Sequence, residues 1–244
     1  MGTGQQPMDQ ARQWLRDARR IAVLTGAGVS AESGIPTFRG DGGLWRQFRA
    51  EDPATAEAFS ANPKLVWEWY NWRRGLIAAA NPNPAHLALV TLEQRVPAFT
   101  LITQNVDGLH SRAGSTNIVY LHGDIWTVRC LACGVSRKEE RPQLPELPPQ
   151  CQCGGLLRPG VVWFGEGLHQ DRWRAAEQAT RDADVFLIVG TSAVVMPAGG
   201  LAALAKRGGA KLIEVNADAT WISDTADCSL RGPAGSVLPH LIED

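Results

Sequence analysis

The chain has 244 residues, 44% hydrophobic and 20% charged, enough to bury a substantial core in one large domain or one domain with inserts. Twenty-four basic residues against twenty-five acidic give a formal charge of −1, which excludes a global positive field for nucleic acid or an anionic membrane, and neither partner is expected. The longest apolar runs, Ile21 to Leu24 and Val185 to Val189, fall far short of the roughly 20 residues a membrane span needs, Met1 to Arg20 lacks an apolar signal region, and the cytoplasm is the expected location.

In chain order, Ala11, Leu15 and Ala18 give Met8 to Arg19 a helical period, and the segment leads into an apolar strand, Ile21 to Leu24. That strand runs into Thr25-Gly26-Ala27-Gly28-Val29-Ser30, where a strand is expected to feed a helix. Pro36 to Arg49, rich in Gly, Arg and aromatics without period, predicts an irregular loop. Asn62-Pro63 supplies an N-cap and a first-turn proline for a helix from Lys64 to about Ala80, and Asn81 to Pro84 precedes another over Ala85 to Arg95. Strands over Phe99 to Thr103, Ile118 to Leu121, Val161 to Phe164, Val185 to Gly190 and Lys211 to Asn216 then alternate with helices over Asp171 to Arg181 and Ala198 to Lys206.

Apolar strands separated by helices predict an α/β fold with a Rossmann-like, doubly wound parallel sheet. Residues 1–35, 81–120 and 160–244 are assigned to that domain. Two stretches do not fit it: a loop and helical module at 36–80, and a cysteine- and proline-bearing module at 121–159. Both are read as inserts forming a smaller domain over the carboxyl edge of the sheet, where such folds place ligands.

Glycines after a first strand let a backbone approach a pyrophosphate, whose charge then meets N–H groups. Alone, the turn is equally compatible with a tight connection. Gly26-x-Gly28 continues to Ser33-Gly34 and not to a third fingerprint glycine, which argues against an ordinary NAD dehydrogenase.

The run from Gly26 through Ser33-Gly34-Ile35-Pro36-Thr37-Phe38 to Arg39 closely resembles the NAD signature of the sirtuin family. Thr103-Gln104-Asn105-Val106-Asp107-Gly108-Leu109-His110 resembles its second signature and Leu121-His122-Gly123 its third. Gly190-Thr191-Ser192 and Glu214-Val215-Asn216 match two later cofactor segments, so the resemblance covers nearly the whole chain. It implies an NAD-dependent protein-lysine deacylase that consumes NAD as co-substrate. Gly26, Ala27, Gly28, Gly190, Thr191 and Ser192 would hold the diphosphate and adenosine ribose, and Asn216 the ribose on the adenosine side. Phe38 and Arg39 would sit in a mobile loop, with Ser30, Ser33, Thr37, Trp45, Gln104, Val106 and Ala234 also on the cofactor. Asn105 and Asp107 would line the nicotinamide pocket as catalytic residues.

His122 is the expected general base, since imidazole titrates near working pH and can take a proton from a ribose hydroxyl. The resemblance implies that the acyl oxygen of an acylated lysine, in a protein or peptide, attacks the nicotinamide ribose; nicotinamide, an O-acyl-ADP-ribose and free lysine result. His110 is expected to be structural, and His86, His169 and His240 match no catalytic motif.

Cys130, Cys133, Cys151 and Cys153 cluster within a short stretch, and Cys228 stands apart as a small buried hydrophobe. Two CxxC-like pairs can place four thiolates round one tetrahedral structural zinc with no open position. The family pattern usually has two residues between the last pair, so Cys151-x-Cys153 is a departure; a zinc-free ribbon or redox pair is the alternative.

Val161 to Glu166 resembles the family's substrate strand, which takes the peptide as an added strand, with Val162 and Phe164 flanking the acyl-lysine tunnel. Tyr70 and Arg73 share one helical face and make a carboxylate receptor, a phenol beside a planar guanidinium fork. The pair resembles the Tyr-x-x-Arg of sirtuins that remove succinyl and malonyl groups, and Ala54-Thr55 resembles the small-residue site that makes room for the longer chain. An amphipathic helix with solvated arginines is the competing reading. The expected activity is therefore removal of succinyl, malonyl and also acetyl groups. A sirtuin acting mainly on acetyl-lysine, a protein ADP-ribosyltransferase and a non-enzymatic NAD or zinc module are the rivals.

Overall fold

The computed structural model describes residues 5–37 and 53–243. Among them, six strands form a parallel sheet: β1 (Arg20–Thr25), β2 (Ala98–Thr103), β3 (Ile118–Tyr120), β7 (Val185–Val189), β8 (Lys211–Asn216) and β9 (Cys228–Arg231). Their order is β3-β2-β1-β7-β8-β9. β1 pairs in parallel with β2 on one side and β7 on the other, so the strand order reverses between β1 and β7. Connections leave the sheet in opposite directions there, which opens a crevice at the carboxyl ends of those strands.

Each central strand is apolar on both faces, as its unbroken hydrophobic run demands. Ile21, Val23, Leu101, Leu187 and Val215 enter one core with Ala11 and Leu15 of α1 (Gln5–Asp17), Leu89 of α4 (Pro84–Arg95) and Leu238 of α8 (Ala234–Ile242). Ala22, Leu24, Ile102, Phe186 and Leu212 enter the other, with Ala176 of α6 (Gln170–Asp182) and Leu201 of α7 (Gly200–Arg207). No helix among the described residues is long and apolar enough to cross a membrane.

A third core belongs to the smaller unit. Here α2 (Ala56–Ala61) and α3 (Pro63–Ala79) pack on a three-stranded antiparallel sheet of β5 (Ser136–Lys138), β4 (Gly123–Cys130) and β6 (Leu157–Val161). Asn62 starts α3 by accepting from Leu65 N at 3.1 Å, ahead of Pro63 at the first helical position. The buried Arg74 of α3 donates to the carbonyls of Glu139 and Arg141, joining the helical and cysteine-bearing modules.

Two local expectations are corrected. The strand expected at Val161 to Phe164 in the parallel sheet is instead β6, which ends at Val161 and pairs antiparallel with β4. Pro159 and Gly160 within it hid its strand character. The turn after β1 feeds a 3-10 segment, Ala27–Ser33, not an α-helix, and ends at Gly34 in the left-handed region.

Candidate active-site cleft

The crevice floor is built by backbone meeting backbone. Gly26 N–H donates to Val189 O at 3.1 Å, Gly28 N–H to Gly190 O at 2.8 Å and Gly190 N–H to Val215 O at 3.0 Å. A Cβ on Gly26 would lie 2.6 Å from Thr191 Cβ, and one on Gly28 would lie 2.8 Å from Gly190 Cα. Only glycine permits that approach, and it brings the glycine turn against the Gly190-Thr191-Ser192 segment. Thr191 Oγ1 accepts from Gln104 Nε2 at 3.0 Å, and Asn216 Nδ2 donates to Thr191 O at 3.0 Å, so the ends of β2, β7 and β8 are tied together.

Beneath the floor lies a buried polar cluster. Ser30 Oγ donates to Asp107 Oδ2 at 2.8 Å and accepts from Asn105 Nδ2 at 3.2 Å, while Asn105 Nδ2 also reaches Gly26 O at 3.0 Å. Leu109 N–H donates to Asp107 Oδ1 at 2.8 Å, and the Trp126 indole donates to Asp107 O at 2.8 Å. Burial pushes the Asp107 carboxyl up, opposed by these donors and by the Arg73 charge.

His86 and His110 pack behind this cluster with ring centroids 4.8 Å apart and the rings tilted by 54°. Burial pushes His86 down to about 4 and His110 well below the ordinary histidine range, so both are neutral. His86 Nδ1 accepts from the backbone N–H of Asn83, the N-cap of α4, at 3.2 Å, and the ring sits 3.5 Å from Ser30 Oγ, a position its motif-free sequence context did not signal.

His122 sits just ahead of β4. Its Nδ1 lies 3.0 Å from Gln104 O, and a carbonyl can only accept, so Nδ1 carries the hydrogen and Nε2 keeps its lone pair. Burial pushes its pKa down, with the Gln104 carbonyl opposing. Its own carbonyl accepts from Val162 N–H at 2.8 Å, which sets the segment after β6 alongside.

Tyr70 and Arg73 of α3 are both buried and both face the cleft. Trp163 Nε1 donates to Tyr70 Oη at 2.9 Å, and the Arg73 guanidinium lies 4.9 Å from the centre of the Trp69 ring. Burial raises the Tyr70 phenol to about 12 and lowers Arg73. Phe164 N–H donates to Ala54 O at 3.0 Å, bridging the segment after β6 to the start of α2.

A single cleft of about 1150 Å3 joins these parts. Small-molecule sites commonly have about 300–1000 Å3, so a dinucleotide and a second ligand fit together. Lining it are Gly26, Ala27, Gly28, Ser30, Thr37, Gln104, Asn105, Val106, Asp107, His122, Gly190, Thr191, Ser192, Asn216 and Ala234. At the other end stand Ala54, Tyr70, Arg73, Val162 and Phe164. Ser33 does not line it: its hydroxyl accepts from Asn83 Nδ2 at 3.0 Å on the side of α4. Phe38, Arg39 and Trp45 lie outside the described residues. Sequence reasoning missed Trp163, Leu168 and Trp173, which also line the cleft, because each is an aromatic or apolar residue that reads as core.

The four clustered cysteines form a second centre. Their sulfurs lie within 4.8 Å of one another, with Cys130 to Cys153 at 3.5 Å and Cys133 to Cys151 at 3.8 Å, and none is in a disulfide. Zn–S bonds of about 2.3 Å in a tetrahedron put sulfurs roughly 3.8 Å apart, so the set fits a closed tetrathiolate zinc despite the Cys151-x-Cys153 spacing. Gly155 makes the fit possible, since a Cβ there would lie 3.0 Å from Cys130 Sγ. The N–H groups of Cys133 and Ala132 hold the Cys130 thiol down at about 6, ready to bind as thiolate.

Comparison with known proteins gives concordant results. A model described as the Sir2 family matches residues 26–197. An NAD-dependent protein deacylase of Aquifex aeolicus (strain VF5) is 57% identical over 224 residues, covering 91% of this chain and 94% of that protein. A crystal structure of a Sir2 homologue–NAD complex superposes with a TM-score of 0.91 at 47% identity, covering 96% of this chain and 92% of the other. A Sir2–p53 peptide–NAD+ structure superposes with a TM-score of 0.85 at 32% identity, covering 96% and 97%.

Proposed function

The chain belongs to the Sir2 family of NAD-dependent protein deacylases, and from that premise we propose that it removes succinyl and malonyl groups from lysine as well as acetyl. The observation that carries this reading is the buried pair Tyr70 and Arg73, one helical turn apart and lining the cleft. Burying a guanidinium is costly, on the order of several kcal/mol before compensation. The guanidinium already feels the charge of Asp107, and an acyl chain ending in a carboxylate can add two parallel hydrogen bonds to it, with the phenol giving a third. An acetyl group ends in a methyl and gains nothing from the pair, yet it fits the same space.

In this reading NAD is the co-substrate: its ribose carbon is attacked by the acyl oxygen, nicotinamide leaves, and a ribose hydroxyl finally receives the acyl group. His122 takes the proton from that hydroxyl at Nε2, the nitrogen left open by the Gln104 carbonyl. Asn105 and Asp107 hold the nicotinamide end, supported from behind by Ser30. The glycine turn, Gly190, Thr191 and Ser192 meet the diphosphate and adenosine ribose through backbone and hydroxyl groups. Val162 and Phe164 flank the acyl-lysine of a protein or peptide that pairs as an added strand. A zinc would be held by Cys130, Cys133, Cys151 and Cys153, where it would supply a cross-link and no chemistry.

Succinyl, malonyl and acetyl forms of one peptide, compared by kcat/KM, test the proposal. It expects at least one acidic acyl form to match or exceed acetyl. Turnover of the acetyl form alone would refute it, and stable label left on protein by labelled NAD would identify ADP-ribosyl transfer instead.

A further inference from the structure

The Tyr70 hydroxyl is held by another residue of the cleft wall, Trp163. Tyr70 Oη accepts the Trp163 indole N–H at 2.9 Å, and both rings are almost wholly buried, at 2% and 3% exposure. A phenol has one hydrogen to give and two lone pairs to offer. An indole N–H only donates, and so does the guanidinium of Arg73 one turn along the helix. Neither neighbour can receive the phenol hydrogen, so the Trp163 bond fixes Tyr70 as a donor.

Trp163 is itself clamped. The Arg158 guanidinium stacks 3.5 Å from its ring centre, and Phe59 packs at a ring separation of 5.2 Å. Glu166 binds Arg158 at 2.5 and 2.9 Å and accepts the Trp163 backbone N–H at 2.8 Å. Arg158 also donates to Val161 O at 3.0 Å, which anchors the clamp to the end of β6. The indole is therefore held in one orientation by the buried Arg158 and its partner Glu166, which stands at the cleft wall.

We infer that Trp163 is a positioning residue for acyl specificity: its indole N–H orients the Tyr70 hydroxyl so that its hydrogen is presented, beside Arg73, to the carboxylate of an acidic acyl chain. This rests on the acidic-acyl reading. It adds that selectivity depends on a bond the substrate never touches.

The test uses the full chain with Trp163→Phe, which keeps an aromatic ring between Phe59 and Arg158 and removes the donor. The expected result is a fall of about tenfold in the ratio of succinyl to acetyl kcat/KM, carried by KM for the succinyl peptide. Trp163→Phe with Tyr70→Phe should lose no more of that ratio than Tyr70→Phe alone, because both break one device. Trp163→His, which restores a ring N–H, should recover part of the loss. Should Trp163→Phe fold poorly, benzothienylalanine placed at position 163 replaces the N–H by sulfur in a ring of nearly the same shape. Equal losses on both peptides, or losses in the double variant that add, overturn the role of Trp163 while leaving the acidic-acyl reading standing. No change in the ratio on Tyr70→Phe and Arg73→Met would overturn the acidic-acyl reading, and the role of Trp163 with it.

Discussion

His122 and Cys130 are joined by one strand: the histidine immediately precedes β4 and the cysteine closes it. A zinc bound at Cys130 would therefore act on the residue that we assign as base through a single strand, at roughly 3.3 Å per residue. β4 pairs with β6 from Cys130 opposite Leu157 to Val128 opposite Pro159 and again at Gly123 opposite Val161, with an irregularity between, and β6 leads into Trp163 and Phe164. Metal analysis should find about one zinc per chain. A chelator, or Cys130→Ser, should unfold the smaller unit and abolish deacylation, although no thiolate touches substrate. Retention of full activity after complete zinc removal would contradict that linkage.

The meeting of Gly28 with Gly190 gives a prediction with an internal control. Gly190 has φ +57, and a Cβ there would lie 2.4 Å from Val29 N; Gly34 has φ +81 with nothing within 4 Å. Gly34→Ala should cost about 1–2 kcal/mol of stability from left-handed strain alone. Gly190→Ala should cost on the order of 3 kcal/mol or more, and should weaken NAD binding, because the floor must open. Denaturant melts of the two variants with and without NAD separate the effects. Equal costs in both would show that the backbone contact is not tight in solution.

The electrostatics of His122 fix the sign of a pH effect. A base must be neutral to accept a proton, and burial holds His122 below the usual histidine value of about 6.5. The imidazole is then unprotonated at neutral pH and protonates only as pH falls through its lowered value. The kcat/KM profile should be flat at neutral pH and above on this limb, and its acid fall should lie below the usual histidine value of about 6.5. His122→Ala should lower kcat by about 100- to 10,000-fold at neutral pH and above, and the gap should narrow as pH falls and the wild-type imidazole protonates. An acid limb with its midpoint above pH 7 would contradict the assignment.

Much of the site was legible because its motifs are backbone motifs. Gly26, Gly28 and Gly190 are required by contacts that no other residue tolerates, and such requirements leave a mark in sequence. Asn62-Pro63 and Asn83-Pro84 announced α3 and α4 through their own capping chemistry. What escaped notice depends on tertiary context. β6 reads Leu-Arg-Pro-Gly-Val, a poor strand by composition, and exists because β4 supplies its partners. β9 has four residues, and α8 contains Pro239, so neither carried a period strong enough to register. Ser33 belongs to the signature by position, yet its hydroxyl turns to Asn83, a contact 50 residues away along the chain. Nothing in the sequence singles out Arg158, and Glu166 reads only as part of the substrate stretch; they clamp Trp163 once β6 has turned.

The claim that this deacylase accepts acidic acyl groups rests on Arg73. The direct measurement is kcat/KM for succinyl and acetyl forms of one peptide, with wild-type protein and Arg73→Met, which keeps the length of the side chain and removes the guanidinium. The account predicts that succinyl activity falls at least tenfold more than acetyl activity, roughly 1.4 kcal/mol of discrimination. Equal losses on the two peptides would contradict it, because a helix-packing arginine would then explain Arg73 completely.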